Sequence, residues 1–597
     1  MRRQLTRWLI VLLLALFAGC LYGYRLADAP PHLEIDEILI ALDGHATAST
    51  GRDIRGELLP LYFQTADHSW YQPAVIYLTA LVLRVAPLTE WSIRLPTVGI
   101  AIASILLMYF VARRLFGGAL FGLVASGMLA LTPAHFIHSR YAMDYVYPVP
   151  FILAWLLCMV AWTEGIDAPP DGARAARRPD ALLVAGGVCL GVGFYSYIAS
   201  IVMMPVYFGL TCMLLALHKS PRRAYGLAAV GFVPFLLPFL VWLARHPAAY
   251  GATVAKYGLY DANTLDAVQG LRSIAGYMSV SQRLSQYWSF FNPSFLFFGS
   301  GTKLMFSTNQ VGVFLFAEGI LLIIGLYYAV SRRRPIMLAI VLGLVTAPLA
   351  SLIVTEENAI FRALGIVPFG VLLATAGVHD LWSSSTAKPF RPISIAASLA
   401  VVVVGGAYVA FTLLTQRRVT ASSLPLIALA AALLWLARVP DRVKQWRIVA
   451  VCLLALMPIQ FAGFWNDYFS DYRVRSSFWL GGNIRGALET IIDRDARRQV
   501  PAVYFSTLKA TSGQIDTRDQ YMQMYWRFYL LKHGRDDLRA RSRPFEPAAV
   551  RAMERGSLVL ANLGDTTIEP LVRAGDLQQV AVIPELSDHP FFIVLER

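Results

Sequence analysis

Two carboxylates stand side by side at Asp36 and Glu37, in the run Leu33-Glu34-Ile35-Asp36-Glu37. A carboxylate is suited to take the proton of an attacking hydroxyl. On a helix, neighbouring residues point about 100° apart, so the pair is not expected to share one proton or one ligand. One member can face a cavity while the other caps the chain or meets a cation; solvated loop acids are the plain alternative. A third acid, Asp144, follows Arg140 by four residues in His138-Ser139-Arg140-Tyr141-Ala142-Met143-Asp144-Tyr145. An acid near membrane depth is a functional candidate, and a helical Arg140–Asp144 pair is the competing reading. The candidate cations are Arg94, in Trp91-Ser92-Ile93-Arg94-Leu95-Pro96, Arg140, Lys303 at the end of the glycine-containing run Phe297–Lys303, and Arg362, which follows Glu356-Glu357-Asn358. Guanidinium and ammonium groups bind phosphate. Interfacial snorkelling at Arg94 and a flexible loop at Lys303 stand against that use. His135 and His138 are three apart, but no third strong ligand accompanies them, so no metal is assigned.

The elements that must position these groups are membrane helices. Of 597 residues, 57% are hydrophobic and 15% charged, against roughly 25% charge in a soluble domain. The excess lies in long uncharged runs such as Trp8–Tyr24 and Val146–Thr163, long enough to span a bilayer. The net charge of +14 does not indicate a nucleic-acid partner, because the cations sit in short clusters between apolar runs, for example Arg113/Arg114 and Arg332–Arg334. Such clusters mark cytoplasmic loops. About thirteen spans are expected, over 8–24, 94–112, 119–134, 147–163, 181–197, 199–217, 225–243, 311–330, 336–354, 363–379, 393–414, 422–437 and 447–464. With the N-terminus inside, the basic clusters fall in the cytoplasm, Arg417/Arg418 excepted. Pro73–Leu83 is shorter than a span and ends at Arg84. It is read as an amphipathic helix at the outer interface, since counting it as a span would invert the clusters that follow.

This parity expects two large outer loops, 25–93 and 244–310, and places Asp36 and Asp144 on one outer face. It divides the chain into a membrane domain, 1–465, and an extracytoplasmic segment, 466–597. The second part is rich in charge. Short β-like runs at Ala502–Ser506, Leu558–Ala561, Val580–Ile583 and Phe591–Leu595 alternate with helical stretches at Asp519–Lys532 and Pro547–Arg555. That alternation predicts a small α/β domain. The five cysteines all lie in apolar runs, which indicates neither a disulfide framework nor a thiolate metal site. The N-terminal apolar stretch lacks an A-x-A-like site and is read as an uncleaved first helix.

Taken in order, these motifs resemble the GT-C membrane glycosyltransferases, in the branch of protein O-mannosyltransferases and the transferases that attach aminoarabinose to lipid A. Asp36-Glu37 resembles the acidic pair of the first outer loop, and Gly51-Arg52-Asp53 with Leu59-Pro60 resembles the loop after it. Arg94-Leu95-Pro96 resembles the start of the second span, Ser139-Arg140 with Asp144 the corner between the third and fourth, and Phe295-Leu296-Phe297-Phe298-Gly299 the second large outer loop. The resemblance covers roughly 1–465. One departure is Gln72-Pro73, where the aminoarabinose enzymes carry a lysine before the proline. It puts that acceptor and that phosphate contact in doubt.

The resemblance implies a glycosyltransferase working on the outer face of the cell inner membrane, with a periplasmic or extracellular C-terminal domain. Its donor would be a sugar on polyprenyl phosphate, and its acceptor a hydroxyl of a lipid, a glycan or a protein. A single displacement inverts the anomeric carbon. Asp36 is the expected base, Glu37 a supporting acid, and Asp144 an acceptor-orienting or supporting group. Arg94, Arg140, Lys303 and Arg362 are the expected phosphate-binding or site-organising cations, since charge develops on the departing phosphate. No cofactor is assigned, and a divalent cation is compatible. The rival readings are a lipid-linked sugar flippase or transporter and a polysaccharide ligase. No internal repeat supports a transporter.

Overall fold

The computed structural model describes residues 2–64, 70–167, 177–256, 266–274, 276–299, 301, 303–353, 357–383, 406, 442–510, 513–515 and 520–597. Long uncharged stretches become helices, because only a helix satisfies its own backbone polar groups in lipid. Among the described residues, seven helices are long and apolar enough to cross a membrane: Glu90–Leu115, Asp144–Ile166, Ser200–Leu217, Arg222–Arg245, Pro335–Ile353, Ile366–Ser383 and Gln445–Phe469. Shorter apolar helices run over Trp8–Gly23, Ala119–Leu131 and Asp180–Gly193, and a further helix over Phe316–Arg332. Each coincides with an expected span. The spans expected at 393–414 and 422–437, with Arg417/Arg418 between them, lie outside the described residues. The protein is a multi-pass helical membrane protein with a small C-terminal sheet region.

The chain divides into two compact units. One comprises Met1–Cys20, Ile100–Ser139 and Tyr145–Asp467; the other comprises Leu21–Gly99, Arg140–Asp144 and Tyr468–Arg597. In the first, Phe316–Arg332 and Ile366–Ser383 approach at backbone distance through Gly325 and Gly377. A Cβ at Gly325 would lie 1.7 Å from the Leu373 carbonyl oxygen, and one at Gly377 would lie 2.1 Å from that of Leu321. Small residues at such crossings are the usual means of packing membrane helices.

The second unit carries most of the acids singled out above. After α1 (Arg2–Gly23) the chain enters α2 (Ile35–Thr50), which ends at Gly51 with φ +72°. A two-stranded hairpin, β1 (Phe63–Gln64) with β2 (Trp70–Tyr71), leads into α3 (Pro73–Leu83). Its 11 residues rise only about 16 Å, half a hydrocarbon core. Next comes α4 (Glu90–Leu115), whose first turns belong to this unit. The C-terminal segment forms β3 (Val503–Phe505), β4 (Leu508–Ala510), β5 (Gly513–Ile515), β6 (Ser542–Pro544), β7 (Leu558–Asn562), β8 (Gln578–Val582) and β9 (Phe592–Glu596). The five-stranded sheet has the order β6-β3-β7-β9-β8, with β6, β3 and β7 parallel and β9 antiparallel to both β7 and β8. The helices Ile484–Arg497 and Gln520–His533 supply its apolar cover.

Packing joins the segments on either side of the boundary expected at 465/466. One hydrophobic core contains Leu33, Ile38, Leu42, Leu88 and Ile93 together with Ile491, Val503, Phe528, Leu560 and Val594. Residues of the 25–93 stretch and of the C-terminal segment bury their apolar faces in each other. The physical reason is burial: apolar residues of a loop are stabilised only where a partner surface removes them from water.

Candidate active site

The first turn of α2 sets the acids. Glu34 is its N-cap: its Oε2 accepts the Asp36 N–H at 2.6 Å, while the Glu37 carboxylate accepts the Glu34 N–H at 3.1 Å. This reciprocal box satisfies two N-terminal donors that would otherwise be orphaned. Glu37 is fully buried. Its Oε1 accepts from Arg94 Nε at 2.8 Å and from the Ala142 N–H at 2.8 Å, and its Oε2 accepts from Arg94 Nη2 at 3.0 Å. With Glu34, that makes four donors, the full capacity of a carboxylate.

Asp36 faces elsewhere. It is half-buried, and its Oδ1 accepts the phenolic hydroxyl of Tyr71. Tyr71 reaches it because α2 and α3 lie alongside each other in parallel. The Tyr71–Asp36 pair and the Thr79–Gly44 contact are both offset by 35 residues. The helical 100° rule thus separates the two acids as expected: one is locked, the other partly exposed. Burial, then the nearby Asp36, pushes the Glu34 carboxyl well above the ordinary carboxylate range.

Arg94 and Arg140 both direct their guanidinium groups to acceptors within the protein. Arg94 is fully buried. Beyond its two bonds to Glu37, Nη1 donates to the carbonyls of Leu26 at 3.0 Å and Pro30 at 2.9 Å, and Nη2 to that of His32 at 3.1 Å. All five of its donors are used within the protein. Arg140, also fully buried, donates to the carbonyls of Tyr22, Tyr24 (2.8 Å), Arg25 (3.2 Å) and Ala29 (2.8 and 3.2 Å). Its guanidinium lies over the rings of Tyr468 and Phe469 at 5.6 and 5.0 Å. The two arginines tie together the chain between α1 and α2. Free carbonyls at the end of a helix and in an irregular loop attract a guanidinium as a phosphate would, and sequence spacing does not distinguish the two.

Asp144 is buried, 7% exposed, and opens a 3-10 turn. Its segment, 140–144, is tied to α2 by the Ala142–Glu37 bond. Lys303 and Arg362 belong to the other unit. Lys303 is exposed in its loop; Arg362 is half-buried, with its guanidinium 4.8 Å from the Phe361 ring centre. In that same unit, Phe361 packs on Phe306 (4.4 Å) and Tyr145 (4.9 Å), and His138 stacks on Phe306. His135 and His138 are fully buried, and burial lowers them to about 3 and about 4, so both are neutral. Among the described residues, no group of three or more His, Cys, Asp or Glu is placed to hold a metal ion.

Three further residues of the second unit were not singled out from the sequence. Glu34 had a legible signal, since Glu34 and Glu37 have the spacing of a capping box. Tyr71 lies 35 residues from its partner and had none. Asp43, 1% exposed, accepts the Ile54 N–H at 3.0 Å. Burial raises its carboxyl to about 7, and Asp53 adds to the rise.

Residues 67–242 match the family described as dolichyl-phosphate-mannose-protein mannosyltransferase. No curated protein matches the sequence. The fold is similar to that of ArnT from Cupriavidus metallidurans in the apo state, with TM-score 0.52 and 12% identity, over 99% of this chain and 98% of that one. It is also similar to ArnT from the same organism bound to undecaprenyl phosphate, with TM-score 0.53, 12% identity and the same coverage. A looser likeness, TM-score 0.31 at 18% identity, covers 41% of this chain and 34% of a chain of the S. cerevisiae protein O-mannosyltransferase Pmt1-Pmt2 complex bound to the sugar donor.

Proposed function

We propose that this chain, which has the fold of the GT-C glycosyltransferase superfamily, moves a sugar from a polyprenyl-phosphate donor to an acceptor hydroxyl at the outer face of the cell inner membrane. The observation that carries the reading is the division of labour between the adjacent acids. Glu37 is saturated and buried, while Asp36 is half-buried beside Tyr71. Asp36 is the general base: it takes the acceptor proton as the new bond forms to the anomeric carbon, the lipid phosphate leaves, and one displacement inverts that centre. Glu37 keeps α2 in place through Arg94, and Arg140 fixes the chain leading into it. Asp144 supports Asp36 or orients the acceptor. Lys303 and Arg362 remain the candidates for neutralising the departing phosphate. A polyprenyl-phosphate donor is in keeping with the undecaprenyl phosphate bound to the similar ArnT and with the dolichyl phosphate in the description of the matching family. In this reading the N-terminus is cytoplasmic and the C-terminal segment extracytoplasmic.

Two measurements test it. Glycan and lipid profiles of a deletion strain should lose one sugar-bearing species, which the wild-type gene restores. Asp36→Asn protein should restore about 100-fold less or worse, the usual contribution of a positioned base. Unimpaired restoration by Asp36→Asn would sink the base assignment; an unchanged profile in the deletion strain would sink the function.

A further inference from the structure

The C-terminal segment grips the loop of the proposed base at two points and the start of α4 at a third. His32 Nε2 lies 2.8 Å from Ser477 Oγ and 3.3 Å from Glu585 Oε1. Ser477 also donates to Glu585 Oε1, and the Asn483 N–H donates to Glu585 Oε2 at 2.6 Å. One residue further along the loop, the Leu33 carbonyl accepts the hydroxyl of buried Tyr525 at 3.0 Å. Lys532 Nζ bridges Glu90, at the start of α4, and Glu489, at 2.8 and 2.7 Å. The His32 carbonyl is itself an acceptor for Arg94, so the grip runs directly into the Arg94–Glu37 pair.

The His32 cluster is not a nucleophilic triad. Ser477 is fully buried, and the glutamate meets the same imidazole nitrogen as the serine instead of the opposite one. Burial opposes ionisation of Glu585, yet the bonds from His32, Ser477 and Asn483 hold its carboxyl down at about 2. A buried polar cluster of this kind stabilises a fold less than apolar packing does, but it fixes direction. The direction fixed is that of residues 32–37, where a rotation of one or two bonds would re-aim Asp36.

We propose that the C-terminal segment is part of the catalytic apparatus, with His32 and Tyr525 as positioning residues that aim Asp36. The inference rests on Asp36 being the base. It does not require the segment to touch any substrate. A misplacement of about 1 Å in a reacting group lowers rate by about 100-fold, so loosening this grip should lower turnover without unfolding the chain.

The test uses full-length variants, with two readouts: hydrogen exchange of the 33–40 peptide in purified protein, and restoration of the species lost from the deletion strain. His32→Ala and Tyr525→Phe should speed exchange at this peptide and cut product about tenfold or more, with global melting little changed. His32→Gln, whose amide reaches the position of the imidazole Nε2, should rescue both readouts; the shorter His32→Asn should not. Should His32→Ala fail to fold, Tyr525→Phe, which removes one hydroxyl, decides alone. Full product from Tyr525→Phe and His32→Ala, or product lost from His32→Ala with no rescue by His32→Gln, overturns the positioning role. Full product from Asp36→Asn overturns the base assignment itself, and this inference with it, and so separates the two failures.

Discussion

Glu37 and Arg94 show how completely a buried ion pair can be absorbed by structure. Both side chains are fully buried, and the pair is bidentate at 2.8 and 3.0 Å. Removing one partner leaves an uncompensated charge in a low-dielectric interior, which costs about 3–5 kcal/mol. Arg94→Ala is therefore expected to lower the melting temperature strongly in detergent. Arg94→Lys should not restore it, because an ammonium cannot reproduce the fork to Glu37 and three carbonyls. Asp43 gives a different signature. Its folded pKa of about 7 lies above the unfolded value of about 3.9. The native state then holds the proton more tightly, so this group's contribution to stability declines as pH rises from about 4 to about 7 and is level above that. In Asp43→Asn the amide oxygen can still accept the Ile54 N–H, but nothing ionises. Melting curves of variant and wild type should meet near about pH 4 and separate by about pH 8, with the variant the more stable. A gap of equal size at both pH values would show that Asp43 does not titrate in this range.

Among the secondary-structure elements, the α2–α3 pair is what brings Tyr71 to Asp36. Its closeness depends on Gly44: a Cβ there would lie 2.9 Å from Thr79 Cγ2 and 3.2 Å from Thr79 Cβ. Thr79 is β-branched and fully buried, so it has little room to yield. Gly44→Val should destabilise by about 1–3 kcal/mol through overpacking and displace α3 from α2. Loss of the Asp36–Tyr71 contact would accompany it, detectable as weaker restoration of the deletion strain's missing species. Wild-type melting and activity in Gly44→Val would mean that the two helices are less tightly packed than this geometry requires.

Across the full chain, folding turns on the shared core of the second unit. Deleting 466–597 would expose Leu33, Ile38, Leu42, Leu88 and Ile93, all 6% exposed or less in the intact chain. An exposed apolar patch of this kind favours aggregation. The truncated protein is expected to elute as aggregate in fluorescence-detected size exclusion, whereas a sharp monodisperse peak would show that the membrane part folds without its C-terminal partner. It follows that truncation is a poor probe of what the C-terminal segment does, and that single-residue changes such as Tyr525→Phe are better ones.

Among the described residues, which stretches become long apolar helices, and that Pro73–Leu83 is too short to span, could be read from the chain before any fold was known. Both follow from local apolar length, which a chain carries without reference to its neighbours in space. The parting of adjacent Asp36 and Glu37 was legible in the same way, because helical angles are local. Which of the pair is locked was not legible; it depends on where Arg94 and the Ala142 N–H come to rest. Nor could spacing reveal that Arg94 and Arg140 spend donors on carbonyls of the 22–32 segment, or that Tyr71 meets Asp36 and Tyr525 meets the Leu33 carbonyl. The partners of Asp36 and Leu33 lie 35 and 492 residues away in the chain. Hydrogen bonds of that range leave no periodic trace in sequence, because the packing of distant segments, and not spacing, brings their atoms together.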